Sequence, residues 1–203
     1  MSTSINETHS LIDETRRLRH AGQTDGADQL LRTAAQAGSI DAMIELAHIS
    51  RSAGKKNDSD QWIDAAEAAL RPGDLDGHIS LNGAYSLGLG RGERDVLEKR
   101  ALYHLEQVAL AGNPIAQERL ALEFLEGTNG CEQSLEKFEH WIGLARAAGS
   151  QRAVYIYAEY LFRRKRPVPP NLVAELQAVR HENRAAEKLL RAIERREKKA
   201  AWA

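Results

Sequence analysis

Apolar and small residues along this chain recur on a helical period, most clearly between Asn113 and Gly149. Ala116, Leu120, Ala121 and Phe124 fall on one helix face, after an opening Asn113-Pro114 and before a break at Gly127. Phe138, Trp141, Ile142 and Ala145 form a second such face before Gly149. Two amphipathic helices in so short a stretch make one helical hairpin. Similar hairpins precede and follow it.

A punctuation mark repeats with the hairpins: Gly38-Ser39, Gly73-Asp74, Gly112-Asn113 and Gly149-Ser150, at intervals of 35, 39 and 37 residues. Each Gly suits the left-handed turn that ends a helix, and each following residue is a favoured N-cap. Four residues after each Gly stand Ala42, Gly77, Ala116 and Ala153, all small. Eight residues on are Leu46, Leu81, Leu120 and Tyr157, and twelve on are Ser50, Tyr85, Phe124 and Leu161. Offsets four, eight and twelve share one face, where small residues let a neighbouring helix approach. Nine residues on, Ala47, Ala121 and Ala158 agree, and Asn82 departs, as Ser50 does at twelve. A period of this length predicts a stacked helical array of about four to five units.

The run Ala116…Leu120-Ala121…Phe124…Gly127, then Phe138…Trp141-Ile142…Ala145…Gly149, resembles the Sel-like repeat, a relative of the tetratricopeptide repeat. The resemblance covers about residues 40–162 and weakens between Ser39 and Gly73, where Trp62 is out of register. It implies a right-handed α-solenoid with an adaptor or scaffolding role, and it carries no catalytic residues. Small repeat proteins of this kind serve as bacterial regulators and as toxin-neutralising immunity proteins. By analogy with the tetratricopeptide class, the first helix of each hairpin lines a concave groove. Offsets three, six, ten and thirteen then face a protein or peptide partner. These are Asp41, Ile44, His48 and Arg51, then Asp76, Ile79, Gly83 and Ser86. The later hairpins give Ile115, Glu118, Leu122 and Leu125, then Arg152, Tyr155, Glu159 and Phe162. The later set is the more apolar, so Glu118, Leu122, Leu125, Arg152, Tyr155, Glu159 and Phe162, with His48 and Arg51, are the expected partner-binding residues. An apolar column there needs a cover, either a partner helix or the chain's own C-terminal helix.

The ends read differently. Residues 1–9 are expected to be a flexible N-terminus, with a helix capped near Ser10 running to His20 and a second capped by Thr24 or Asp25. The repeat array is assigned to 10–166. After Arg163-Arg164-Lys165-Arg166, Pro167-Val168-Pro169-Pro170 predicts a stiff linker. Asn171 then caps one final helix to about Ala200, so 167–203 form a linker and a capping helix. Its seam of Leu172, Leu176, Val179, Asn183, Ala186, Leu190 and Ile193 suits packing on the last repeat, or a coiled-coil homodimer with Asn183 setting register.

Composition fits this picture. Of 203 residues 42% are hydrophobic but only 5% aromatic, which favours a helical core rich in Ala and Leu. A net charge of −1 gives no global attraction to nucleic acid or anionic membrane. Residues 1–15 lack the apolar stretch of a secretory signal, and no run approaches a membrane span, so a cytoplasmic protein is expected. The lone Cys131 excludes an internal disulfide and reads as a loop thiol.

Candidate chemistry is sparse. Gly88-Leu89-Gly90-Arg91-Gly92 follows a helix, not a strand, so it reads as a mobile connection instead of a phosphate loop. The seven histidines are scattered without ligand spacing, and neither metal nor cofactor is expected. His104 and Trp141 both stand eight residues before a closing Gly, a packing position, while His48 and His78 lie near the inner face. No catalytic motif stands out. The expectation is a non-enzyme, with a hydrolase or transferase of unrecognised site as the alternative. The basic tetrad 163–166 makes a nucleic-acid-associated factor a further alternative, one that the missing aromatic interleaving argues against.

Overall fold

The computed structural model describes the backbone of residues 3–180 and 184–201 and the side chains of 11–180 and 184–199. Every regular element in these residues is a helix, as expected for an all-α solenoid of hairpins. The chain divides into two compact units, Met1–Val108 with Asn129–Cys131, and Ala109–Thr128 with Glu132–Ala203.

The first unit is built from α1 (Thr3–His20), α2 (Thr24–Gln36), α3 (Ile40–Ser52), α4 (Lys56–Ala69), α5 (Leu75–Ser86) and most of α6 (Arg94–Leu110). The α1–α2 and α3–α4 pairs are hairpins, with α3 also packed on α2 and α5. Leu31, Ile63, Leu81 and Tyr85 are fully buried at its centre. The second unit contains α7 (Pro114–Glu126), α8 (Leu135–Ala147), α9 (Gln151–Arg163), α10 (Pro170–Val179) and α11 (Arg184–Ala201). Here α7–α8 is the hairpin, α9 packs on α8, and α10 and α11 pack on α9 and on each other. Leu120, Phe138, Ile142, Leu172, Leu176 and Ile193 are its fully buried side chains.

The punctuation works as the sequence predicts. Gly38, Gly73, Gly112 and Gly149 all have positive φ, between 79° and 94°. Ser39, Asp74 and Ser150 accept a hydrogen bond from the amide three residues on, at Ala42, Gly77 and Ala153, and Asn113 accepts from Ile115 and Ala116. Each such cap contributes about 1 kcal/mol by satisfying an orphan amide of the first turn. The small residues at offset four are buried where helices meet. At Gly77 a Cβ would stand 2.6 Å from Leu70 and 2.7 Å from Ile40, so this helical glycine follows from close packing. Asn82 also has a reason: it is buried and its Nδ2 donates to the Ala101 carbonyl at 2.7 Å, tying α5 to α6.

Four local expectations are corrected. Helix α1 is already formed at Thr3, ahead of Ser10. The N-cap of α2 is Gln23, with no side-chain cap bond, so neither Thr24 nor Asp25 caps it. The final helix is two helices, α10 and α11, and α10 opens at Pro170 behind an extended Pro169 instead of at Asn171. The seam is thereby consumed within the chain: Leu172, Leu176, Val179, Ala186, Leu190 and Ile193 are all buried, which removes the apolar stripe a coiled-coil homodimer needs. Asn183, the expected register residue, lies outside the described residues. Finally, Gly88–Gly92 is pinned, not a free connection: Leu89 is buried, Arg51 donates to the Gly88 carbonyl at 2.8 Å, and Arg91 pairs with Asp64 at 2.8 Å.

Candidate functional site

In the first unit, the faces of α1, α3 and α5 enclose an open groove of about 510 Å³. Its floor is apolar, from Ile12, Ile44, Ile79, Ala84 and Leu87. Its rim holds Asp13, Asp41, Glu45 and Asp76 against one arginine, Arg16, and one histidine, His48. The repeat register explains this arrangement. Asp41, Ile44 and His48 occupy the inner-face offsets of α3, and Asp76, Ile79 and Gly83 those of α5. Ser80 donates to Asp41, which fixes α3 against α5, and Arg16 sits 3.6 Å from Asp13. Ile79 is 49% exposed and Leu87 70% exposed, large apolar side chains left in water on an otherwise ordered wall.

The expected site residues fall differently in the two units. His48 lines the first-unit groove and is half-buried, while the guanidinium of Arg51 is spent on the Gly88 carbonyl. In the second unit Glu118 is buried, receives the Ser150 hydroxyl and faces Arg152 at 3.7 Å, so it bridges α7 to the cap of α9. Glu159 pairs with Arg163 at 2.8 Å. Burial, and then a hydrogen bond to Glu159, push the Tyr155 phenol above its ordinary value. Leu122 and Leu125 are half-buried. Phe162 is covered: the Arg196 guanidinium of α11 lies 4.5 Å from its ring centroid and donates to its carbonyl at 3.0 Å. The chain's own C-terminal helix thus covers one end of the expected apolar column.

A concentrated titratable network among the described residues is a row inside the first unit that the sequence reading did not join. His78 and His104 face each other through their Nδ1 atoms at 2.9 Å, and His104 Nε2 lies 3.2 Å from Glu67. With Glu67 ionised, His104 Nε2 donates to it and His104 Nδ1 accepts from His78. Burial lowers the His104 pKa, partly opposed by the Glu67 carboxylate. Tyr85 stacks on His104 and receives a bond from Arg100 at 3.3 Å, and its own pKa is raised by burial. His78, placed near the inner face by the sequence, is therefore buried and bonded inside the unit. The signal was present in spacing: His78 lies five residues after the Gly73 turn, beside the small Gly77, and His104 at the packing offset.

Half of the basic tetrad is paired with acids. Arg163 pairs with Glu159, Arg166 with Glu139 at 2.5 Å, and Arg164 and Arg166 stand over the Tyr160 ring. No group of acids, histidines and cysteine among the described residues could hold a metal ion. No helix among them is long and apolar enough to cross a membrane.

No family model and no curated protein matches the sequence. Among solved structures, a Sel1 repeat protein from Oxalobacter formigenes matches with a TM-score of 0.56 at 15% identity, over 87% of this chain and 73% of that one. The fold is that of a Sel1-repeat protein. A protective antigen of uropathogenic Escherichia coli strains displaying an SLR fold also matches, with a TM-score of 0.40, 19% identity, and coverage of 81% of this chain and 43% of that one. Within the Sel1-repeat fold, what this chain binds has to be argued from its own side chains.

Proposed function

We propose that this chain is a non-enzymatic interaction module that holds a protein partner in the groove of its first unit. The carrying observation is the pair Ile79 and Leu87, exposed on a wall whose other side is packed core. Apolar anchors on a rigid, solvent-open wall gain free energy when another surface covers them. The groove is open along one side, which suits side chains projecting from a larger partner better than an enclosed small ligand. The enzyme reading finds its best residues in the His78–His104–Glu67 row, whose two rings are packed inside the unit instead of facing a cleft.

Regulator and immunity protein both require such a grip and differ only in the partner held. The second-unit face, from Glu118 to Phe162, is a secondary surface in this reading, because its charges already have partners. A photo-crosslinking residue at Leu87, compared with one at Leu144 in the second unit, tests the proposal in native cells. A crosslinked protein is expected from position 87 and not from 144. Equal labelling, or none at 87, would overturn it.

A further inference from the structure

We infer, building on the groove reading above, that the occupant is a cationic amphipathic helix: an apolar ridge flanked by Lys or Arg. Helix α5 supplies the geometry. Ile79, Gly83 and Leu87 follow one another at four-residue steps, so two apolar knobs flank a gap about one turn from each. A Cβ built on Gly83 meets nothing within 4 Å, so the gap is open to a side chain from outside. Gly77 on the same helix has the opposite character, its absent Cβ being required by Leu70 and Ile40. Knob, hole and knob along a helix ridge are what a second helix packs against, with its own large apolar residue over Gly83.

Charge selects the flanks. Four carboxylates rim the groove, and Arg16 is already beside Asp13 while Asp41 takes the Ser80 hydroxyl. Glu45 and Asp76 have no side-chain partner among the described residues. Asp41 and Asp76 stand in first turns, where the helix dipole favours an acid, but Glu45 and Asp13 do not share that explanation. The whole chain carries a net charge of only −1, so the acidity is local to this rim. Such a field attracts a basic helix and repels nucleic acid and anionic lipid.

Three synthetic helical peptides sharing one Leu/Ile ridge, with flanks of Lys/Arg, of Gln or of Glu, provide the probes. Fluorescence anisotropy with the full chain is expected to show the cationic peptide binding about tenfold tighter than the Gln peptide, and less tightly as salt rises. The double variant Glu45→Gln/Asp76→Asn is expected to erase that advantage, and Gly83→Leu to abolish binding of every peptide. If cationic and Gln peptides bind alike and both are lost in Gly83→Leu, the charge assignment is overturned while the groove reading stands. If no peptide binds, or if Gly83→Leu leaves binding intact, the inference is overturned, and crosslinking at Leu87 independently decides the groove reading. Should Gly83→Leu fail to fold, methyl chemical shifts serve instead: shifts at Ile44 and Ile79 support the inference, and shifts confined to Leu122 and Leu125 overturn it.

Discussion

The inner faces of α3 and α5 in the first unit and of α7 and α9 in the second occupy the same repeat offsets, yet they are finished differently. In the second unit Glu118 is bonded to Ser150 and Arg152, Glu159 to Arg163, and Phe162 is covered by Arg196. In the first, Glu45 and Asp76 have no side-chain partner among the described residues, and Ile79 and Leu87 stand in water. A face whose polar groups are satisfied internally adds to stability, and one left unsatisfied is available to bind. Apolarity in the sequence pointed to the second unit, where Ile115 is still 72% exposed; the pairing of that face's charges shifts the emphasis to the first.

The largest expected effects lie beneath both faces and set the baseline. Tyr85→Ala and Phe138→Ala each remove a fully buried ring and should cost about 3–5 kcal/mol. Urea unfolding monitored by hydrogen exchange would show each loss in its own unit. Values below about 1 kcal/mol would mean that the cores are looser than their burial indicates.

The contrast itself is probed by matched carboxylates. Glu118→Ala leaves Ser150 and Arg152 without their acceptor and is expected to cost about 1–3 kcal/mol in urea titrations. Glu45→Ala, on the open face, should stay within about 0.5 kcal/mol. Equal costs would erase the distinction between a bonded face and an available one.

Gly83→Ala gives a smaller effect of opposite sign. The position is helical, and a Cβ there meets nothing within 4 Å, so alanine should stabilise by about 0.5–1 kcal/mol through its lower conformational entropy in the unfolded chain. A lower melting temperature would show that the gap is tighter than described, and would weaken it as a socket.

The smallest expected effect is a pH dependence confined to the first unit. The His104 pKa is lowered on folding, chiefly by burial, so below about pH 6.5 the unfolded chain takes up a proton more readily than the folded one. Stability from this group is complete above that value and declines as pH falls below it. A second proton would also make His104 Nδ1 a donor, which requires His78 to change to the tautomer whose Nδ1 accepts. Melting at pH 7.5 and 5.5 should show this acid loss, reduced in His104→Gln. An unchanged slope in that variant would remove His104 as the cause.

Much of the fold is legible in the residues because its signals are local. A Gly with positive φ followed by Ser, Asp or Asn ends one helix and caps the next through bonds spanning three residues, and the sequence places all four joints correctly. The α10–α11 break is less legible: an almost continuous seam from Leu172 to Ile193 reads as one helix, while burying both halves within one unit requires the chain to turn. The candidate site is legible only as a face. Of the first-unit offsets, Asp41, Ile44, His48, Asp76, Ile79 and Gly83 line the groove while Arg51 and Ser86 do not, and Ile12, Asp13 and Arg16 come from α1, outside the repeat register.

The sequence by itself therefore determined the repeat helices and the four Gly joints between them, since turn chemistry and a 3.6-residue period act over a few neighbours. Only the tertiary structure decided which inward faces are already occupied. Whether Glu118 meets Ser150, Phe162 lies under Arg196, or Leu87 stays exposed depends on contacts between residues far apart in the chain, and no local pattern encodes them.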